Sequence, residues 1–241
     1  KDTLKDLLCC YGPSGSEHPV AEKVRELLEG HADSVRTDVM GNLIVEKFGT
    51  GENARTIMIS AHMDHIGLVV TSIEKEGFLR AAAVGGISPG MVSARKVVFG
   101  SGLYGVCMIQ PDEKAGDKPE MKNLFIDIGA ESREEAEKLV HIGDVAVYAP
   151  DFTSLGRHRV AAPAMDDRCA CALLAELLLY AEGQKNHIVG VFSVQEEVGL
   201  RGAKVAAWSV EPDIGLALDV TAWGDTPETK LPAVRLGAGP A

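Results

Sequence analysis

Arg55-Thr-Ile-Met-Ile-Ser60, running straight into Ala61-His-Met-Asp64, is a short apolar stretch that ends in residues able to bind a cation or carry a proton. A run of this length, rich in β-branched and aliphatic residues, predicts a buried strand. The pattern recurs. His187-Ile-Val-Gly-Val-Phe-Ser-Val194 leads into Gln195-Glu196-Glu197, and Ile214-Gly-Leu-Ala-Leu218 leads into Asp219. Ala161-Ala-Pro-Ala-Met165 leads into Asp166-Asp167, and this run reads as the approach to a helix. In an open α/β sheet, sites form at the carboxyl ends of strands. If the three longer runs are neighbouring parallel strands, their terminal His, Glu and Asp residues converge there, and the helix start brings Asp166 to the same place. One histidine among several carboxylates is a hard, anionic ligand set that suits divalent metal and hydrolytic chemistry.

Outward from these runs, the chain parses as one α/β domain with an insertion. Leu4, Leu7 and Leu8, then Val20, Val24, Leu27 and Leu28, recur at helical spacing on either side of Gly12-Pro-Ser-Gly15. Ser16-Glu-His-Pro19 reads as a helix start with proline in its first turn. Val35 to Phe48 reads as a hairpin turning near Met40-Gly-Asn42. From about Gly67 to Pro150 short β-like runs alternate with glycine: Leu68–Thr71, Phe78-Leu79, Lys96–Phe99, Leu103–Ile109 and Val145–Tyr148. That spacing predicts a small β barrel or sandwich. Ser132-Arg-Glu-Glu135 has capping-box form, and Asp112 to Lys122 is a charged loop. The expected division is 1–67 and 161–241 for the two parts of the α/β domain, with 68–160 between them. Asp166/Asp167 to Tyr180 reads as a helix apolar on most faces, hence packed against the sheet.

The 241 residues are 46% hydrophobic and 24% charged, a globular composition, and no uninterrupted apolar run is long enough to span a bilayer. The net charge of −11 disfavours nucleic acid or an anionic membrane as partner. Five cysteines fit neither a disulfide framework nor a zinc ribbon. They are expected to be reduced and mostly buried; together with the lack of an export leader, this favours a cytoplasmic location.

Each cluster has a plain alternative. His62 and Asp64, two apart on extended chain, share one face, so Asp64 could orient a metal-bound imidazole; it could equally cap a helix. Asp166-Asp167 could be a helix cap or a carboxylate bridging two cations. Glu196 and Glu197 point to opposite sides of an extended chain, so one can bind metal while the other handles a proton; they could also be a solvated loop. Asp219 alone reads as a cap. Their order, His-x-Asp, Asp-Asp, Glu-Glu, Asp, is far more specific than any one of them.

That order and its setting resemble the M42 family of metallo-aminopeptidases, which includes glutamyl and deblocking aminopeptidases and the tetrahedral (TET) peptidases. The matching stretches are Ser60–Gly67, Ala164–Arg168, Val194–Ala203, Ala217–Thr221, Phe125–Gly129 and Gly224–Pro227, spread over nearly the whole chain. The resemblance implies a zinc-exopeptidase-like mixed sheet sandwiched by helices, with the insertion serving dimerisation in a homo-oligomer, a dimer or dodecamer. It implies two divalent ions, zinc or cobalt with manganese as a further option. His62 and Asp219 would bind one ion, Glu197 the other, and Asp166 both, joined to Asp167 by a cis bond. Glu196 would be the general base acting on peptide substrates, and Asp64 the partner of His62. Two departures stand out. His65 replaces the usual glutamate after His-Met-Asp, and is read as bland. The stretch at Arg235–Ala241 continues in relatives to a last histidine ligand that has no match here, leaving the second ion with two protein ligands and the chain with the look of a truncated enzyme. The rival expectations are an endoglucanase-type glycosidase, which needs carboxylates facing each other across a sugar, and a non-catalytic assembly module.

Overall fold

The computed structural model describes residues 2–110, 119–222, 224–229 and 234–240. Helices α1 (Asp2–Leu8) and α2 (His18–Leu27) precede a hairpin of β1 (Ser34–Thr37) and β2 (Leu43–Lys47), and β3 (Thr56–His62) follows. The chain then enters a β-rich stretch: β4 (Gly67–Ile73), β5 (Leu79–Val84), α3 (Pro89–Val92), β6 (Lys96–Phe99), β7 (Tyr104–Ile109), β8 (Leu124–Asp127), α4 (Arg133–Ala136) and β9 (Val145–Tyr148). A small hairpin, β10 (Thr153–Leu155) and β11 (Arg159–Ala161), leads to α5 (Met165–Tyr180), β12 (His187–Ser193), α6 (Arg201–Val210) and β13 (Ile214–Ala217).

The three longer apolar runs do lie side by side. The sheet order is β1-β2-β12-β3-β13, with β12 and β13 both parallel to β3 and β2 antiparallel to β12. Ser193 stands opposite His62 in the β12–β3 register, and Ala217 opposite Ser60 on the other side. The chain therefore leaves all three strands at the same edge, which is what gathers His62, Glu196 and Asp219.

Alternation along the strands divides the core. Leu43, Val45, Ile59, Ala61 and Phe192 pack with Leu7, Val20, Val24 and Leu174 of the helices α1, α2 and α5. Ile44, Met58, Val189 and Val191 face the other way and pack with Ala206 of α6. This is the α/β sheet sandwiched by helices that the sequence predicts. Helix α5 is apolar nearly all round, but only one face is covered: Cys171, Leu174, Ala175 and Leu178 are buried, whereas Leu173, Leu177 and Tyr180 are exposed. No helix among the described residues is long and apolar enough to cross a membrane.

The β-rich stretch closes into a six-stranded barrel, β4-β5-β8-β7-β6-β9, around Leu68, Val70, Leu79, Val97, Cys107, Leu124 and Ile126. Strand β8 belongs to it as well, beyond the short runs read from the sequence. The Ser132 side chain accepts from the Glu135 N–H at the start of α4, as the capping pattern predicts. Most of the charged loop read at 112–122 lies outside the described residues. All five cysteines are free thiols; Cys107 and Cys171 are buried, Cys9 is exposed.

Helix α6 begins hard against the sheet edge. Gly202 donates to the Val194 carbonyl (3.0 Å) and its own carbonyl accepts from the Asn42 side chain (3.0 Å). A Cβ here would lie 2.3 Å from Asn42 Oδ1 and 2.4 Å from the Val194 carbonyl oxygen. Gly202→Ala is therefore expected to lower stability by about 1–3 kcal/mol, the usual range for overpacking, read as a fall in the urea midpoint. A midpoint equal to wild type would show that this contact is slack.

Candidate active site

His62 is the last residue of β3 and is almost fully buried. Its Nδ1 lies 2.9 Å from the Asp64 main-chain carbonyl and 3.6 Å from the Asp64 carboxylate, so the carbonyl is the hydrogen-bond acceptor. Its Nε2 lies 3.0 Å from Asp166 Oδ1 and 3.7 Å from Glu196 Oε2. An Nδ1–H held by a carbonyl sets the ring's orientation and turns Nε2 toward the carboxylates, so that Nε2 becomes the ligand atom once its own proton is shed, the arrangement of a metal-binding imidazole. Asp64 thus reaches the ring through its backbone as well as its charge. Its carboxylate accepts from Ser14 Oγ (2.6 Å) and from the Glu196 and Glu197 N–H groups (2.9 and 3.1 Å).

Asp166 and Asp167 precede the regular part of α5, in non-helical conformations and joined by a cis peptide bond. Asp166 is exposed, while Asp167 is fully buried and receives the His62 N–H at Oδ2 (3.2 Å). Ligand atoms of His62, Asp166 and Asp219 all lie within 4.8 Å of one another, the one such group among the described residues. Glu197 is not part of that group. It lines, with Asp166, a cavity of about 870 Å³ whose far wall includes Met91, Arg95, Lys96 and Tyr148 of the β-rich stretch.

The electrostatics are those of several carboxylates crowded around one imidazole. Burial, reinforced by Asp219 and Asp166 against His62, pushes Asp167 up to about 7. Burial and then Asp166 push Glu197 up to about 7. Glu196 is raised by burial, partly offset by His62. Burial alone would lower the His62 pKa, yet hydrogen bonding to Asp166 and Asp64 carries it to about 11. Burial works against Asp64 as well, but its donors hold it below the usual carboxylate range. A divalent cation fits this donor set: one imidazole whose Nε2 faces the carboxylates, clustered carboxylate oxygens, and a buried Asp167 Oδ1 with no hydrogen-bond partner.

Several contributors escape a reading of the sequence by clusters. Ser14 and Glu17 sit in the glycine- and proline-containing segment before α2, which has turn composition and gives no hint of the site. Arg168 is fully buried, with its guanidinium donating to the carbonyls of Met63, Leu7, Cys10 and Gly12. It ties the N-terminal segment and the end of β3 to the first turn of α5. These acceptors are all backbone carbonyls of distant segments, a role that no local sequence pattern announces. His65 is buried, with Nδ1 against the Ile66 carbonyl. Burial, then Arg168, holds it down at about 4, so it is neutral at neutral pH.

With this geometry in view, comparison with known proteins is decisive. The family model for M42 glutamyl aminopeptidase matches residues 41–241. The lysyl aminopeptidase of Pyrococcus furiosus is 38% identical over 251 residues, covering 99% of this chain and 71% of its own. An aminopeptidase structure from the archaeon Desulfurococcus kamchatkensis superposes with a TM-score of 0.92 at 39% identity, covering 100% of this chain and 68% of its own. The TET1 peptidase of Pyrococcus horikoshii, described as assembling into a tetrahedron or a large octahedral shell, gives a TM-score of 0.82 at 36% identity over 94% of this chain and 72% of its own.

At pH 7 the metal-free protein holds a proton on His62, below its raised pKa, and shares of protons on Asp167 and Glu197, which sit near theirs. A ligated imidazole and carboxylate must shed such protons. Loading with Zn²⁺ is expected to release protons, seen as a buffer-dependent heat in calorimetry with two buffers of different ionisation enthalpy. Heats independent of the buffer would contradict the assigned protonation.

Proposed function

The chain belongs to the M42 glutamyl aminopeptidase family and is a peptidase, and we propose that it hydrolyses N-terminal residues from peptides with two divalent cations held by the residues just described. The observation that carries this is the convergence of His62, Asp166 and Asp219 within 4.8 Å, with Glu196 3.7 Å from the same imidazole nitrogen. His62, Asp166 and Asp219 would hold one cation, and Asp166 with Glu197 the other; Zn, Co and Mn all accept such ligands. Bound cations would supply Lewis acidity toward the scissile carbonyl and lower the pKa of water.

The rest of the chemistry falls to this chain's side chains. Glu196, raised by burial toward the working pH, takes a proton from the attacking water and delivers it to the departing amine. Asp64 keeps His62 and the Glu196–Glu197 backbone in one frame. The substrate's free α-amine is expected against the carboxylates, confining attack to the first peptide bond, and the peptide body in the cavity beside Asp166 and Glu197. Nothing in the geometry favours a glycosidase. Glu196 and Glu197 are neighbours whose N–H groups share one carboxylate, not an opposed pair across a groove.

Assembly is part of the same reading. The Pyrococcus horikoshii TET1 peptidase can assemble into a tetrahedron or a large octahedral shell, and on β7 of this chain the exposed residues Tyr104, Val106 and Met108 alternate along one side of the strand. That apolar row supports the 68–160 insertion as a unit that pairs copies of the chain in a homo-oligomer. A cytoplasmic location belongs to the same proposal, supported by five free cysteines.

Glu196→Gln is expected to keep its bound metal, measured by atomic absorption, and to lose about 10²–10⁴-fold in kcat on aminoacyl anilides, the span of general acid–base catalysis. Chelation should abolish wild-type activity. Turnover by the variant at the wild-type rate would remove Glu196 from the mechanism, and metal-independent cleavage would remove the cations.

A further inference from the structure

At the carboxyl end of β12, four consecutive backbone N–H groups are each taken by a side-chain oxygen. Val194 donates to Asn42 Oδ1 (3.0 Å), Gln195 to Glu17 Oε1 (3.0 Å), Glu196 to Asp64 Oδ1 (2.9 Å) and Glu197 to Asp64 Oδ2 (3.1 Å). Neither a strand nor a helix ladder produces such a run, so the acceptors have to be brought by other segments. The carbonyl side is equally occupied. Val194 O accepts from Gly202, Gln195 O from Arg201, and Glu196 O from Gly199 and Leu200. The backbone carrying the two functional glutamates is pinned along both edges.

Glu17 holds the least comfortable residue of the four. Gln195 has φ +54°, the left-handed region that a side chain disfavours and that surrounding structure must enforce. Glu17 is 6% exposed, and the same Oε1 also accepts the Gly15 N–H at 2.8 Å. Although it stands at the start of α2, its side chain makes no capping bond to that helix. Ser14, from the same short segment, donates to Asp64 at 2.6 Å. The segment 12–17 therefore reaches the glutamate loop twice, once through Glu17 and once through Asp64.

We propose that Glu17 is a positioning residue for the peptidase reaction: by fixing the Gln195 peptide it sets the direction in which Glu196 and Glu197 leave the backbone. It touches neither substrate nor cation. The proposal rests on the roles given to Glu196 and Glu197 above. The acceptor oxygen matters here, rather than the charge, because both bonds go to neutral N–H groups.

The test compares Glu17→Gln and Glu17→Ala in the full-length enzyme at saturating metal. Glutamine presents an amide oxygen where Oε1 lies, so its kcat should stay close to wild type. Alanine leaves both N–H groups without their acceptor. It should lower kcat by about a hundredfold, the scale of a 1 Å misplacement of a catalytic group, with KM and metal content little changed. Amide hydrogen exchange supplies a readout that does not depend on turnover: Gln195 should be protected in the wild-type holoenzyme and lose protection in the alanine variant, while 189–193 stay protected. The proposal is overturned if the alanine variant keeps kcat, if glutamine fails as badly as alanine, or if kcat, KM and bound metal collapse together. Should the alanine variant not fold, rapid exchange at Gln195 in wild type or a crippled glutamine variant overturns it equally. An active Glu196→Gln enzyme would instead sink the general-base reading and leave the exchange result standing.

Discussion

Like charges must be held together here against their own repulsion. Asp64, Asp166, Asp167, Glu196, Glu197 and Asp219 crowd one imidazole, and some of them have little access to water. Burial and mutual repulsion favour protons on groups that would otherwise lose them: His62, bonded to Asp166 and Asp64, is raised to about 11, and Asp167 and Glu197 to about 7. A cluster of this kind is costly unless a positive charge compensates it. Its retention in a folded chain is the physical argument for a metal centre, and it does not depend on the family comparison.

The fold supplies the compression. Parallel pairing of β12 and β13 with β3 brings three chain ends to one edge, and the first turn of α5 adds the two aspartates. Arg168 locks that turn to the rest. A buried guanidinium satisfied by carbonyls of Leu7, Cys10, Gly12 and Met63 cannot let go of one without leaving a charge poorly solvated. The N-terminal segment, remote in sequence from every cluster, is in this way built into the floor of the site, where Ser14 and Glu17 operate.

What could be read from the residues alone follows from this division. The strands 56–62 and 187–193 are legible because long apolar runs with abrupt polar ends have few other interpretations. The barrel is legible as texture, though β8, which follows directly on the charged loop, is passed over. His62, Asp166, Glu196, Glu197 and Asp219 stand out because charge at a strand or helix edge is conspicuous. Glu17, Ser14, Asn42 and Arg168 do not, because each works through backbone groups of distant segments. Polar residues in a turn look the same whether they face solvent or a buried N–H. The exposure of Leu173, Leu177 and Tyr180 on α5 was likewise hidden, since an all-round apolar helix does not disclose which face is covered.

Residues far apart in sequence are expected to meet around divalent cations that neutralise them. Diffraction from zinc-loaded crystals, measured on both sides of the zinc absorption edge, tests it directly. The expected result is an anomalous peak at His62 Nε2 and carboxylate oxygens of Asp166 and Asp219, with a second beside Asp166 and Glu197. A fully loaded protein whose anomalous density lies elsewhere, with His62 still hydrogen-bonded to Asp166, would contradict it.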